Sequence, residues 1–378
     1  MTNRSRLKAL GSRQEPSPTA YSLQPAATVQ RLVVKVGASV LTDARGRLLA
    51  ERITPLADQL AACAREGRQP LLVSSGAIAC GMAKLGLSAR PKPLAQLQAC
   101  AAIGQSELMH LYTLAFARHG VSVAQVLLTQ EDLADRLRFR NAKQTLLTLL
   151  HRRVLPIINE NDTVAVEEIT FGDNDRLAAL VASAVDAHLL VILSDVEGFL
   201  QHGKLVERIE AVNQIDRRAL AQPTRGTTKG GMASKLEAAR IAGHSGIPLI
   251  IANGTRPSAL GEILAGKPVG TLCVPPRARL TSRKWWIAFA LRQPRGTIVI
   301  DDGAAHALSE RGSSLLASGV RQVRGRFEAG AFVAVADVAG RELARGVAGY
   351  SSAELARVRG GKTVIPRGHL VLTKDLQR

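Results

Sequence analysis

The stretch FGDNDRLAAL, residues 171–180, sets Asp173, Asn174 and Asp175 directly after a glycine and directly before an apolar helical pattern. Eleven residues upstream, NEND supplies Asn159, Glu160, Asn161 and Asp162. A helix start needs one capping side chain, so two knots of carboxylates and amides in a chain of net charge +19 exceed what local structure asks for. A third stretch, KGGMASK at 229–235, offers glycines that let backbone N–H groups approach an anion, with Lys235 in the first turn of the helix that follows. Exposed amides and the helix dipole favour phosphate at such a place. Taken alone, this stretch reads equally well as a flexible loop and a capped helix. Together with Lys35, however, these groups supply two lysines, two glycine turns and several acidic side chains. That combination fits phosphoryl transfer, where positioning and charge neutralisation do nearly all the work.

Such groups must be carried to one place by a scaffold. From residue 31 the chain alternates apolar strand-like runs with helical patterns: RLVVKVGAS, then ITPLADQLAACAREG, then QPLLVSSGAIACGMAKLG. LAQLQACAAIGQSELMHLYTLAFARHG is helical, VSVAQVLLT is a strand, and RLRFRNAKQTLLTLLHRR leads into VLPIINEND. RLAALVASAVDA, HLLVILSDVEG and IPLIIANG continue the alternation. Strands apolar throughout and separated by helices indicate a mainly parallel sheet sandwiched by helices. In an open parallel sheet, ligands sit at the carboxyl ends of the strands. Lys35 with Gly37, Ser74 with Ser75 and Gly76, NEND, and Ser194 with Asp195 all fall at such ends. Their convergence on one edge says more than any of them singly. Neither a Walker A nor a G-x-G-x-x-G pattern is present, which argues against a P-loop or a dinucleotide fold.

Composition sets the outer bounds. The 378 residues are 46% hydrophobic and 21% charged, ordinary for a globular protein with room for two domains. No apolar run reaches the roughly 18–20 residues of a membrane helix, so no membrane partner is expected. Cys63, Cys80, Cys100 and Cys273 lack metal-ligand spacing, and reduced thiols in the cytoplasm are the expectation. Charge is uneven: residues 277–378 hold 18 basic and 8 acidic side chains, over half of the excess. An anionic partner for that part follows, with nucleic acid a candidate beside a merely solvated Arg-rich surface. Beyond PPRARL the pattern changes to short strands broken by glycines, the mark of a small β-barrel or sandwich. The expected division is a flexible extension over 1–28, an α/β domain over 29–276, a linker over 277–294 and a β domain over 295–372.

In order and spacing, RLVVKVGASVLT, VSSGAIACG, LLTQEDL with RFRNA, PIINENDTV, FGDND, LLVILSDVEGF and GGMASK closely resemble the glutamate 5-kinase family of the amino-acid kinase fold. The segment GTIVIDDGAAHALSERGSSLLASGV resembles the PUA domain, and the two resemblances together cover about residues 31–372. They imply ATP-dependent phosphorylation of the γ-carboxylate of L-glutamate to L-glutamyl 5-phosphate, which opens proline biosynthesis. They also imply Mg²⁺ held mainly by the ATP phosphates without direct protein ligands, free proline as a feedback inhibitor, and a homo-oligomer of unspecified order. Carried over by position, Lys35, Ser194, Asp195 and the run Lys229, Gly230, Gly231, Met232, Ala233, Ser234 and Lys235 match nucleotide-binding residues. Ser75, Asp162 and Asn174 match those that hold glutamate, while Lys35, Lys235, Asp173 and Asp175 surround the reaction centre. Lys229 departs from the small residues usual before the double glycine, and either adds charge beside the phosphates or points to solvent.

The carboxylate nucleophile has a pKa near 4.3, so it is ionised at neutral pH and needs no general base. It needs relief from repulsion by the triphosphate, and the lysines that supply it must be held in place. Asp175 is the candidate holder, and Asp162 the candidate acceptor for the α-ammonium. Two alternatives stand beside this reading. Another amino-acid kinase, such as an acetylglutamate kinase, would leave Asp162 without an ammonium to bind. An RNA-binding role would rest on the basic C-terminal part alone.

Overall fold

RLVVKV forms the strand Arg31–Val36 (β1) because branched apolar side chains fit a pleated surface that is covered on both sides. It lies between two parallel neighbours, with Val34 opposite Leu72 on one side and Val191 on the other. The computed structural model describes residues 29–43, 47–164, 173–215, 231–291 and 293–376. The N-terminal extension expected over 1–28 lies outside them.

The further strands of the large sheet are Gln69–Val73 (β2), Val123–Leu128 (β3), Leu155–Glu160 (β4), Leu189–Ser194 (β5), Arg208–Ile209 (β6), Leu249–Asn253 (β7) and Thr271–Cys273 (β8). Their order is β3-β4-β2-β1-β5-β7-β8-β6. Every pairing is parallel except that of β7 with β8. The main helices are Ala50–Arg65 (α1), Ala77–Lys84 (α2), Leu94–Ala117 (α3), Arg136–His151 (α4), Asp173–Ala184 (α5) and Gly231–His244 (α6).

Side chains alternate between the two faces with the strand period of two. Val33, Leu71, Ile158, Ile192 and Ile251 join one core with Leu180 and Val181 of α5 and Leu236 and Ile241 of α6. Leu32, Val34, Leu72, Ile157, Val191 and Ile250 join the other with Leu60 of α1 and Leu108 and Phe116 of α3. On that second face α2 and α3 meet backbone to backbone. A Cβ added at Gly104 would lie 1.8 Å from the Ala77 carbonyl oxygen, and one at Gly81 1.8 Å from that of Cys100. This close approach brings α3 directly under the turn that follows β2.

The C-terminal part has its own sheet and core. Thr297–Ile300 (β9), Val320–Arg324 (β10), Phe332–Ala336 (β11), Glu342–Val347 (β12) and Leu370–Leu372 (β13) run in the order β10-β9-β11-β12-β13. Ile298, Val333, Val335, Leu355, Val364 and Leu370 fill it. Between the two sheets, the stretch expected as a linker contains the helix Ser282–Trp285 (α7), which continues as a wider turn over Trp286–Ala290. Trp285 and Phe289 are buried in the large domain's core, alongside Phe332 and Val371 of the second sheet. Among the described residues no helix is long and apolar enough to cross a membrane.

Candidate active site

Lys35 stands near the carboxyl end of β1, Ser74 and Ser75 follow β2, Asn159 and Glu160 end β4, and Ser194 ends β5. The helix α5 opens with Asp173, Asn174 and Asp175, so its first turn is presented to that same edge. Lys235 is the fifth residue of α6, one turn further into the helix than the sequence suggests. Lys229 and Gly230 lie outside the described residues, as does the side chain of Asp173.

Asp175 is the hub of one half of the site. One carboxylate oxygen lies 2.6 Å from the Lys35 Nζ, and the other 3.3 Å from the Lys235 Nζ. The Ser234 hydroxyl donates to that second oxygen at 2.6 Å. All three charged groups are buried, Asp175 to 1% exposure. Burial alone would raise the Asp175 carboxyl, but Lys35 and Lys235, with the hydrogen bonds from Lys35 and Ser234, hold it below the ordinary carboxylate range. Burial lowers the Lys35 ammonium, assisted by Lys235, and Asp175 opposes that only in part. Asp195 also acts on Lys35 electrostatically, and Ser194 donates to its carboxylate at 3.1 Å. Two ammonium groups share one buried carboxylate, so the triad carries a net positive charge toward anything placed beside it.

The next residue back belongs to the other half. The Asn174 amide nitrogen lies 2.9 Å from the Ser74 carbonyl oxygen, 2.8 Å from the Ser75 hydroxyl and 3.0 Å from the Asn159 Oδ1. Two N–H bonds serve three acceptors, so at least one is shared. Asn159 in turn donates to Gln105 of α3 at 2.8 Å, and the Ser74 hydroxyl meets the Tyr112 hydroxyl at 2.8 Å. The Asn174 Oδ1 and Gln105 Nε2 are buried and find no partner among the described residues. Asp162 lies just past the end of β4, half-buried, within electrostatic reach of Arg90.

Of the residues the sequence singles out, Lys35, Asp175, Ser234 and Lys235 are in direct contact, and so are Ser75 and Asn174. Ser194 and Asp195 flank the first group, while Gly231, Met232 and Ala233 open α6 beside it. Sequence reasoning missed Gln105 and Tyr112, assigned no role to Asn159 and did not single out Arg90. Gln105 and Tyr112 occur in a long apolar helix, and the one available signal was a glutamine that breaks the buried face of α3.

The fold and the lysine pair at its edge define a class: residues 30–253 match the amino acid kinase family, and residues 296–370 match the PUA domain. A glutamate 5-kinase of Geobacter metallireducens is 47% identical over 342 residues, 89% of this chain and 91% of that protein. One of Meiothermus ruber is 49% identical over 348 residues, 89% and 90% of the two chains. One of Thermus thermophilus is 45% identical over 374 residues, 93% and 100% of the two chains. The chain belongs to the glutamate 5-kinase family.

Proposed function

We propose that this protein transfers the γ-phosphoryl group of ATP to the γ-carboxylate of L-glutamate, with nucleotide at the Lys35–Asp175–Lys235 half and glutamate at the Asn174 half. The observation that carries this reading is the adjacency of Asn174 and Asp175. Consecutive residues on one helical turn grip the polar network on one side and both lysines on the other. Donor and acceptor would therefore meet across a single rigid turn, which is what proximity catalysis requires.

Lys35 and Lys235 would neutralise the phosphates, with the opening of α6 supplying backbone amides. Asp175 keeps both ammonium groups in place. The carboxylate of glutamate attacks phosphorus directly, the phosphorus–oxygen bond to ADP breaks, and no protein group needs to move a proton. The Asn174 Oδ1, buried without a partner among the described residues, is an acceptor suited to the substrate's α-ammonium, and Asp162 would give that ammonium its counter-charge. Kinases of this family use ATP with a divalent metal, for which Mg²⁺ is the proposed ion. Among the described residues no group of three or more His, Cys, Asp or Glu side chains is placed to hold one. Asp175 already serves two lysines and a hydroxyl, so the ATP phosphates would carry the ion. Bound there, it would screen the phosphate charge that repels the incoming carboxylate.

Free proline shares a cationic nitrogen and an α-carboxylate with glutamate and is the proposed inhibitor at the Asp162 and Asn174 surroundings. Cytoplasmic location fits four cysteines that are all buried and unpaired. The proposed domain limits remain 29–276 and 295–372, with homo-oligomeric assembly. An RNA contact is proposed separately for the C-terminal sheet. There an open cavity of about 860 Å³ is lined by Arg321, Arg326 and Arg359.

Incubation with ATP, Mg²⁺, glutamate and hydroxylamine should yield the γ-hydroxamate. Formation with N-acetylglutamate alone would instead identify an acetylglutamate kinase.

A further inference from the structure

We infer that Arg176 is a positioning residue: it ties the start of α5 and the middle of α6, at Glu237 and Arg240, to the interdomain segment and so sets the placement of Asp175 against Lys235. Arg176 directly follows Asp175. Its guanidinium donates to the backbone carbonyl of Phe289 and lies 3.8 Å from the carboxylate of Glu237. Glu237 sits two residues beyond Lys235 on α6 and is held by Arg240 at 2.7 Å. The Arg240 guanidinium lies 4.9 Å from the centre of the Phe289 ring, within cation–π range. The contacts therefore close into a loop, from Arg176 on α5 to Phe289, from its ring to Arg240 on α6, and through Glu237 back to Arg176.

The segment is itself anchored. Trp285 donates its indole N–H to the Ile241 carbonyl of α6 at 3.0 Å, and Trp286 donates to the Leu133 carbonyl at 3.2 Å. Phe289 is 1% exposed. Simple packing between two helices would be served by an apolar side chain, since even a half-buried guanidinium is costly unless paired. An arginine here joins three elements because its planar fork can donate to the Phe289 carbonyl while its charge pairs with Glu237. The two helices it joins are those that bring Asp175, Ser234 and Lys235 together.

The kinetic consequence rests on the phosphoryl-transfer reading above, and amide exchange separates the two. In the full-length chain, Arg176→Gln should lower kcat about tenfold to a hundredfold, the range that small misplacements at a reaction centre command. The glutamate KM should stay within about twofold, because the Asn174 network has its own supports. Arg176→Lys, which keeps the charge and loses the fork, should recover only part of the loss. Each kcat is normalised to the folded fraction measured by circular dichroism. Amide exchange needs no substrate, and Arg176→Gln should speed it in the second turns of α5 (177–180) and α6 (235–238), whose N–H groups are the first to have intrahelical acceptors, while leaving β1 and β2 unchanged. Unaltered exchange in those two turns would overturn the inference whatever the substrate. So would a normalised kcat equal to that of the parent chain.

Discussion

At the carboxyl edge of the large sheet, Lys35 and Lys235 are buried on a single buried carboxylate. Along the C-terminal cavity, Arg321, Arg326 and Arg359 stand exposed, and Arg321 meets Asp301 only at 3.5 Å on the surface. Both regions are basic, but their charges differ in kind. Buried charges are poorly screened, fixed in direction and expensive to leave unpaired. Exposed arginines are mobile, screened within about 8–10 Å at ordinary salt, and individually replaceable. Net charge therefore says little about this protein until burial is known: three buried groups form the proposed reaction centre, while an 18-to-8 excess in the tail would shape at most an attraction.

The contrast is broken most severely by Asp175→Asn. Two buried ammonium groups would lose their shared counter-ion, and breaking such a pair costs about 3–5 kcal/mol. Urea unfolding should register that loss, and turnover should fall by about a thousandfold or more. The pH dependence follows with its sign. Asp175 is held below its unfolded value of about 3.9, so it favours folding above that pH and the benefit drains only as pH falls through the lowered folded value. Loss of kcat/KM as pH falls toward about 4.3 should therefore track the substrate's own carboxylate and shift with the acceptor used.

Lys235→Ala comes next, with kcat reduced about 10²–10³-fold and the glutamate KM nearly unchanged, read in steady-state assays at saturating ATP. Asp162→Asn should act the other way, raising the glutamate KM about tenfold or more with a smaller effect on kcat, as loss of a charge-assisted contact predicts. The reverse pattern would exchange the two halves of the site. Smallest of all, replacing Arg321, Arg326 and Arg359 together by Ala should leave kcat within about twofold. Its effect should appear only in nucleic-acid binding, as a shallower dependence on salt by up to about three units of slope. A large fall in turnover would mean that the exposed arginines reach the reaction after all.

Much of this architecture could be read from residue order. LLVILS is apolar at every position but one and RLVVKV at all but Arg31 and Lys35, and a strand with no polar face has to be covered twice. The candidate site residues stand out in the sequence because they interrupt such runs at their carboxyl ends. Tyr112 and Gln105 do not stand out, since they lie on the one buried face of a long helix, among side chains that only pack. The stretch 277–294 reads as a linker because the pattern changes near PPRARL, and its centre is a helix from which Trp285 enters the core while Trp286 packs half-buried against it. Local composition cannot reveal which surface an aromatic residue will meet.

By itself, then, the sequence determined the alternation of strands and helices, the edge at which the candidate residues gather and the residue types available there, because these depend on periodicity and near neighbours. Tertiary structure alone decided that Asp175 takes both lysines while its neighbour Asn174 turns to Ser75 and Asn159. It also decided that Arg176 reaches the interdomain segment. Those partners lie up to 140 residues apart in the chain (Lys35 and Asp175) and meet only through the parallel register of β1, β2 and β5. Register and helix rotation choose among several chemically equivalent carboxylates, and that choice is a property of the packed core.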